Sequence, residues 1–485
     1  MADYQGIFGA GASTGVQSIG AGTYITVNNA NPLIPVISVT GVAATAHTHA
    51  ASDVTSGVFD VARLGTGTAN NTVYLRGDGT WAAVSGGITG FSSQINTAAP
   101  NATVNVSQLL VTAGSTNADI ALQPKGTGAF LAQLPTSTAA GGNKRGANAV
   151  DLQTLRSSAN SVASGSNAVL CGGQNNASFG SWGFVGGGLN NTASSTYGVI
   201  CGGQSNGTNA TYQFIGTGVS NSMSYQAEYS VLVSGNGNVI GASASTSYGF
   251  IGNGISNTAN EWHATVLNGQ QNSVTGFHAT IIGGSSNSNQ SAYVTIASGQ
   301  NNGAYASPSQ YGLMASITSY LNHNGGIVFG NLASTTTNHQ RVWSSGSTNG
   351  QSGCSQQADN HLYVQTTNGS AVNMTIGGAA LSNTTSIAVP FNSAFFFKIY
   401  VVCKRTPTST ADFGAWEISG LAVNLNNVVT LYNVTTNITH RTNGAYVAAV
   451  VADSTNRTIN IQVTGVAGHT INWSAYAQTI VSATP

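Results

Sequence analysis

Aliphatic, glycine and asparagine positions recur together nine times between residues 170 and 302. In each repeat a glycine follows the aliphatic residue by three positions, and an asparagine follows that glycine by three more. The spacing between successive glycines is 15 residues, except for one step of 17 and one of 19. This period is too short for a repeat that contains a helix, so each unit is predicted to be one coil of a parallel β-solenoid.

The aliphatic column is predicted to form the core of the coil. Side chains alternate between the two faces of a strand, so a column that is apolar in every repeat points to the inside. The predicted coil-core residues are Leu170, Val185, Ile200, Ile215, Leu232, Ile251, Val266, Ile281 and Ile296.

The opposite face of the same strands is also rich in apolar residues. A strand that is apolar on both faces is normally covered on both, so we expect this face to pack on sister chains in a closed ring of three. Sugar stacking is an alternative role for the aromatic rings. However, these rings are two positions from the phenylalanines and would point to the same strand face, which favours packing in the core or interface. The predicted trimer-interface column comprises Trp182, Phe184, Tyr197, Tyr212, Phe214, Tyr229, Tyr248, Phe250 and Tyr293.

The asparagine column is expected to form hydrogen bonds along the coil axis, at corners where asparagine tolerates unusual backbone angles. The alternative is that glycine and asparagine merely mark the loops of a low-complexity chain. Random loops would not keep nine aliphatic positions in phase, so the solenoid is favoured. The two longer steps insert residues near 222–228 and 240–247, where loops are expected to leave the coil on a binding face.

Composition narrows the functional classes. Only 5% of the 485 residues are charged, with 12 basic and 12 acidic side chains, against about a quarter in an average protein. Nucleic-acid binding is therefore not expected, and 41% hydrophobic residues at zero net charge argue against disorder. No secretion signal and no membrane-spanning run is visible. Cys171 and Cys201 fall two coils apart, too far to bridge, so folding in a reducing cytoplasm is expected.

The sequence pattern changes after residue 355. Short apolar runs separated by turns replace the repeat, which predicts a β-sandwich or jelly roll. The expected strands are 362–366, 386–389, 395–403, 415–423, 428–434, 446–452, 459–464 and 471–481.

Several stretches resemble known phage proteins. Residues 47–81, which begin HTHAASDV and end RGDGTW, resemble a segment of bacteriophage tail-fibre and related virion proteins. Residues 117–129 (NADIALQPKGTGA) and 145–153 (RGANAVDLQ) resemble the lead-in to the repeat region of such fibres. The solenoid repeats are similar to the trimeric left-handed β-rolls of trimeric autotransporter adhesin heads. Residues 465–473 (GVAGHTINW) resemble the last hairpin of some fibre tips.

This resemblance implies an all-β, elongated, homotrimeric tail fibre of a virion, without enzymatic activity, that presents its C-terminal tip to bacterial surface glycan or protein. Alternatives are a head-mounted capsid fibre or decoration protein, a polysaccharide-degrading tailspike, and a bacterial trimeric adhesin. Receptor-contact residues are not identified by the sequence. The predicted segments are a virion-mounting segment 1–45, a collar 46–85, a short shaft 86–160, the solenoid 161–315, its exit 316–354 and the tip 355–485.

Two groups of residues carry candidate chemistry. His47 and His49 leave one face of an extended segment, and in a threefold assembly they would ring a transition metal, as such pairs do in some long tail-fibre tips. An ordinary polar turn is the alternative, and no other cofactor is expected. Glu228 and Glu261 are the only acids between residues 165 and 305. Polysaccharide hydrolysis needs a pair of carboxylates, but two single exposed glutamates more often serve only as solvated charges.

Overall fold

The structure, a computed structural model, consists of two compact units, Met1–Ala121 and Leu122–Pro485. It describes residues 25–28, 36–39, 73–77, 79–83, 91–96, 106–111, 116–117, 119–241, 247–305, 310–346, 355–406 and 412–483. In the first unit the described strands form three antiparallel pairs. They are β1 (Ile25–Asn28) with β2 (Val36–Val39), β3 (Val73–Leu75) with β4 (Trp81–Ala83), and β5 (Phe91–Asn96) with β6 (Val106–Val111).

The second unit begins with a stack of short strands, most of them only two residues long. In chain order these are β7 (Phe130–Leu131), β8 (Val150–Asp151), β9 (Val169–Leu170), β10 (Ala177–Ser178), β11 (Phe184–Val185), β12 (Thr192–Ala193), β13 (Val199–Ile200), β14 (Gly207–Thr208), β15 (Phe214–Ile215), β16 (Ser222–Met223), β17 (Val231–Leu232), β18 (Val239–Ile240), β19 (Phe250–Ile251), β20 (Thr258–Ala259), β21 (Thr265–Val266), β22 (Ser273–Val274), β23 (Thr280–Ile281), β24 (Ser288–Asn289), β25 (Ala292–Gln300), β26 (Gly303–Ala304), β27 (Gln310–Ile317), β28 (Tyr320–Leu321), β29 (Ile327–Asn331) and β30 (Arg341–Ser345).

These strands form two parallel sheets, and each strand pairs with its counterpart in the next coil. Sheet 1 contains β7, β8 and β9, then the odd-numbered strands from β11 to β29, and finally β30. Sheet 2 contains the ten even-numbered strands from β10 to β28. A third line of single parallel bridges joins residues such as Gln174, Leu189 and Gln204. The predicted all-β class and the parallel solenoid with coils of about 15 residues are confirmed.

The inside of the coil is filled by three columns of side chains. The nine aliphatic residues of the predicted core, Leu170 to Ile296, are fully buried. Small or apolar residues of sheet 2, such as Ala193, Met223 and Ile240, form the second column. The repeated asparagines form the third column and are also buried. They are Asn176, Asn191, Asn206, Asn221, Asn238, Asn257, Asn272, Asn287 and Asn302.

These asparagines form a hydrogen-bonded ladder along the coil axis. The backbone N–H of Asn272 donates to Oδ1 of Asn257 at 3.1 Å, and its Nδ2 donates to the carbonyl oxygen of Gly284 at 3.0 Å. Its own Oδ1 accepts from the backbone N–H of Asn287 at 3.1 Å. Left-handed backbone angles occur at the residue before the ladder asparagine, as at Asn190 with φ 58°. The expectation that the repeated asparagines themselves adopt these angles was therefore wrong.

A buried cluster of polar side chains lies inside the first coils. The Asp151 carboxylate accepts from Nε of Arg145 at 2.7 Å and from Nη2 of Arg156 at 3.1 Å. It also accepts from the backbone N–H of Gln153 at 3.0 Å. The Oε1 atom of Gln153 in turn accepts from the backbone N–H of Asn176 at 2.8 Å. This cluster therefore provides the first rung of the asparagine ladder.

The C-terminal part consists of two antiparallel sheets that share one core. The larger sheet has the order β31–β39–β34–β35–β36. The smaller sheet is organised around β38, which pairs with β32, β33 and β37. Phe395 and Trp473 of the larger sheet and Ile459 and Val463 of the smaller belong to the same buried cluster. The strands are β31 (Ser355–Thr366), β32 (Ala371–Asn373), β33 (Ile387–Ala388), β34 (Ser393–Thr406), β35 (Phe413–Leu425), β36 (Val428–Arg441), β37 (Val447–Asp453), β38 (Thr458–Thr464) and β39 (Thr470–Ala483), with a 3-10 turn at Ile376–Gly378.

Sheet 1 of the solenoid continues directly into the larger C-terminal sheet. β30 pairs antiparallel with β31, with Trp343 opposite Gln357. The same row of side chains runs on through Ile480 and Phe396 to Leu421. The prediction of a separate sandwich is thus supported in its two packed sheets, and its jelly-roll form stays a prediction. Among the described residues no helix is long and apolar enough to span a membrane.

Candidate functional site

The outer surfaces of the two solenoid sheets differ in polarity. Outward positions of sheet 2 carry mostly small polar residues, such as Thr192, Ser222 and Thr258. Outward positions of sheet 1 carry large apolar side chains from Val169 to Phe250, and several of these are exposed. In the next three coils Thr265, Thr280 and Thr295 take over this column, and Leu267 and Ile282 extend the apolar surface two residues further along their coils. We call this surface the apolar face; it comprises Val169, Phe184, Val199, Phe214, Val231, Phe250, Leu267, Ile282 and Leu313.

A column of stacked rings lies at the corner beside the apolar face. Successive ring centroids are 4.4–5.3 Å apart, and the rings are within 21° of parallel. We call this column the aromatic ladder; it comprises Trp182, Tyr197, Tyr212, Tyr229, Tyr248, His263, His278, Tyr293 and Tyr311.

The backbone of the ladder differs from the sequence expectation. Every ladder residue has a positive φ, for example 58° at Tyr197 and 59° at Tyr212. The rings therefore project from a tight corner and not from the strand face that carries Phe184. The prediction that ladder rings and phenylalanines share one strand face was wrong. Stacking covers both faces of each inner ring and leaves only the edges open. A sugar cannot lie flat on these rings, which removes the ladder as a sugar-stacking platform.

Two further aromatic side chains lie against the side of the ladder. The ring of Trp262 is 6.1 Å from that of Tyr248 and 5.9 Å from that of His263, at angles of 77° and 78°. The ring of Phe277 is 4.2 Å from that of His278 at an angle of 79°. Because ladder ring faces are covered by their stacked neighbours, these contacts must use the ladder ring edges. Trp262 and Phe277 therefore pack against the edges of the ladder at nearly right angles and remain partly exposed to solvent. We call this pair the aromatic platform.

Glu228 and Glu261 lie on the same side of the solenoid as the aromatic platform. The backbone N–H of Tyr248 donates to the carbonyl oxygen of Glu228, and that of His278 donates to the carbonyl oxygen of Trp262. Glu228 therefore lies in the same column as Trp262, two coils earlier. Glu261 directly precedes Trp262, and its Oε1 accepts from the Trp262 backbone N–H at 3.0 Å. Glu261 thus lies beside the aromatic platform, and Glu228 lies in the same column, separated from Trp262 by the coil of Ser247.

The sequence analysis missed the aromatic platform. Before the ladder residue, four of the nine coils carry a small polar residue, as at Ser181, Thr196 and Thr211. Large aromatic residues occupy it only at Trp262 and Phe277, and this break in the column is the signal that could have revealed the platform. The structure places Tyr225 of the first insertion in solvent with 78% of its surface exposed. Part of the second insertion, residues 242–246, lies outside the described residues, as do His47 and His49.

The ionisable groups of the C-terminal part have partners within the fold. The Tyr476 hydroxyl donates to Oδ2 of Asp359 at 2.6 Å, and burial raises the tyrosine pKa. Burial also raises the pKa of the Cys403 thiol to about 12. Exposed ion pairs join Lys398 to Glu417 at 3.0 Å and Arg405 to Asp412 at 3.2 Å. In the part of the chain that the structure describes, no group of three or more histidine, cysteine or acidic side chains could hold a metal ion.

Comparisons with known proteins found similar solved structures but no match among family models or curated proteins. The tailspike protein of Acinetobacter phage vB_ApiP_P1 is similar over 73% of this chain and 81% of its own length, with 8% identity and a TM-score of 0.17. Tailspike protein gp49 of Acinetobacter baumannii bacteriophage Fri1 is similar over 81% of this chain and 75% of its own, with 10% identity and a TM-score of 0.21.

One of these similarities corrects an expectation. The Fri1 protein is described as a capsular polysaccharide depolymerase, which is an enzyme. This contradicts the prediction that the chain has no enzymatic activity, and we withdraw that prediction. A TM-score of 0.21 does not itself assign an activity to this chain.

Proposed function

We propose that this chain is the subunit of a trimeric fibre or tailspike of a phage particle, and that it attaches the particle to bacterial surface polysaccharide. The observation that carries the proposal is the one-sided polarity of the solenoid. The apolar face and the aromatic ladder adjoin each other, whereas the outward positions of sheet 2 are polar and suited to water. The resemblance of residues 47–81 and 117–129 to virion fibre segments supports the phage assignment.

Exposure of the apolar face to water is energetically unfavourable in a single chain. Each large apolar side chain removed from water stabilises an assembly by about 1.5–3 kcal/mol, and contiguous apolar patches of this kind mark interaction surfaces. Because the stripe runs along one side of the solenoid over most of its coils, copies packed side by side would cover all of it at once. A closed threefold ring covers the stripe of each copy without leaving an open end.

Sedimentation equilibrium of the full-length protein tests the assembly. We expect a trimer for the wild type and dissociation for the double variant Phe214→Glu, Phe250→Glu, because burying unpaired carboxylates between copies costs several kcal/mol. The matched control Thr192→Glu, Thr258→Glu adds the same charges to sheet 2 and should remain trimeric. A wild-type monomer would refute the proposal, as would a trimer that tolerates both phenylalanine substitutions.

The virion location has its own test. Immunogold labelling of purified particles should place the protein on the tail if it is a tail fibre or tailspike, and on the capsid if it is a head fibre. Both positions retain the proposed attachment role. Particles without label would exclude a virion protein. Binding of transition metal by His47 and His49 stays a prediction, which elemental analysis of wild type and His47→Ala would test.

A polysaccharide-degrading tailspike is the second candidate function. Its support is the position of Glu228 and Glu261 near one another on the same side of the solenoid. With coils about 4.8 Å apart, a two-coil step of about 10 Å is close to the carboxylate spacing of about 6.5–9.5 Å in inverting glycosidases. Wild-type protein should then release reducing ends from host polysaccharide, and Glu228→Gln and Glu261→Gln should each abolish the release. Equal release by wild type and both variants would exclude this pair.

A further inference from the structure

The rings of the aromatic platform are oriented differently from those of the aromatic ladder. The ladder rings lie across the coil axis, and their faces are covered by stacking. The rings of Trp262 and Phe277 stand at 77–79° to them, so their planes run along the axis. The two side chains remain 40% and 37% exposed. They belong to adjacent coils, which are about 4.8 Å apart, and both lie along the same side of the aromatic ladder.

The polar groups beside the aromatic platform are acidic. Glu261 is held next to Trp262 by its hydrogen bond to the backbone N–H. Glu228 occupies the same column two coils earlier and is exposed. Between residues 157 and 340 the sequence contains no lysine and no arginine. No lysine or arginine of this range therefore compensates the negative charge of the two glutamates.

We propose that the aromatic platform binds the sugar rings of a neutral polysaccharide, with Glu228 and Glu261 accepting hydrogen bonds from sugar hydroxyl groups. This inference rests on the proposed function and names its substrate class. Sugar rings offer an apolar C–H face and a rim of hydroxyl donors, which match an exposed aromatic face flanked by carboxylate acceptors. A carboxylate accepts stronger hydrogen bonds than a neutral oxygen does.

The same arrangement selects against acidic polysaccharides. Uronic acids, sulfate groups and phosphate groups would approach two carboxylates with no compensating lysine or arginine, and like-charge juxtaposition is unfavourable at an interface. Selection therefore comes from a repulsive element as well as an attractive one. Removing the two charges should relax the selection without removing the stacking surface.

A printed panel of purified bacterial polysaccharides, with neutral and uronic-acid-containing members, tests the proposal on the full-length protein. Wild type should bind neutral members and not acidic ones. Trp262→Ala and Phe277→Ala should each weaken that binding about tenfold or more, as truncation of a central aromatic contact does, whereas Trp262→Phe should retain most of it. The control Phe179→Ala removes an exposed aromatic side chain elsewhere on the solenoid and should bind as the wild type does.

The charge element has a separate readout. The double variant Glu228→Gln, Glu261→Gln should bind acidic members that the wild type rejects, and the gain should shrink as salt rises. The inference is overturned if wild type binds no neutral member, if it prefers acidic members, or if Trp262→Ala binds as well as Phe179→Ala. Sedimentation of each sample separates this failure from that of the proposed function. A trimer that ignores neutral glycans refutes the platform alone, and a monomer refutes the assembly.

Discussion

At the residue scale, asparagine is suited to the ladder because one side chain serves both directions of the coil axis. An amide offers an acceptor oxygen and two donor hydrogens, and Asn272 uses both kinds of group between coils. Aspartate would lose the donors and bury a charge, and leucine would lose every bond. The ladder therefore satisfies polar backbone groups inside the coil that no water reaches.

We expect Asn272→Ala to destabilise the protein by about 2–4 kcal/mol, because several buried partners lose their hydrogen bonds. Chemical unfolding of the purified protein measures this. Gln270→Ala in the same coil removes an exposed side chain and should change the free energy of unfolding by less than about 0.5 kcal/mol. Equal effects of the two substitutions would show that the ladder is not a source of stability.

Cysteine reactivity gives a second test at this scale. The raised pKa of Cys403, about 12, leaves almost no thiolate at pH 8, and the thiolate is the reactive form. Cys171 and Cys201 are exposed. Brief alkylation of the Phe214→Glu, Phe250→Glu variant, whose single chains leave the apolar face uncovered, at pH 8 and followed by peptide mass mapping, should therefore modify Cys171 and Cys201 and spare Cys403. Modification of Cys403 as fast as the other two would contradict its burial.

Sequence periodicity predicts inward side chains well and corners poorly. The burial of Leu170 to Ile296 follows from a column that is aliphatic in every repeat. The corner at Tyr197 or Tyr212 does not, because a bulky residue rarely adopts a positive φ. Stacking between coils stabilises that conformation, and stacking is a property of the assembled solenoid that a single repeat does not contain. The same reason hides the orientation of Trp262.

At the element scale, the coils approach so closely at the repeated glycine that no side chain fits there. A Cβ added at Gly254 would lie 2.0 Å from the carbonyl oxygen of Gly269, and its φ of 116° disfavours any other residue. At Gly283 an added Cβ would meet nothing within 4 Å. The two positions therefore form a matched pair within the same stack.

Gly254→Ala should consequently lower the stability of the solenoid by several kcal/mol, since a backbone clash and an unfavourable φ combine. Gly283→Ala should be neutral or slightly stabilising, because alanine reduces the freedom of the unfolded chain. Hydrogen exchange can locate the effect, which should be greatest in the coils next to Gly254, as stability in a repeat stack depends on nearest neighbours. Uniform loss of protection along the chain would argue against this.

Outside the regular repeat, the sequence predicts strands but not how they pair. Sheet 1 extends back to β7 and forward to β30 although the spacing there departs from 15 residues, because parallel pairing tolerates both longer and shorter corners. In the C-terminal part, the eight predicted runs correspond to strands of the two sheets. β32 was missed because Ala371–Asn373 contains only one residue with a high β-propensity, Val372. Which strands pair is determined by contacts far apart in the sequence, such as those between β31 and β39.

At the scale of the whole molecule, scarcity of charge determines how copies would associate. Only 5% of residues are charged, and the apolar face contains none of them. The proposed trimer should therefore keep its sedimentation behaviour between 50 mM and 1 M sodium chloride, since screening acts on charges and leaves apolar contacts intact. Dissociation on adding salt would indicate an electrostatic interface and contradict the role of the apolar face.

The backbone junction between Arg341–Ser345 and Ser355–Thr366 has a mechanical consequence. Three paired residues bond the last coil to the larger terminal sheet, so the two regions share one hydrogen-bonded surface at this point. A pull on that sheet would be transmitted into the coils through backbone bonds rather than taken up by a swivelling tether. The terminal sheet should accordingly keep a fixed orientation about the coil axis, and torque applied at one end of this unit would reach the other.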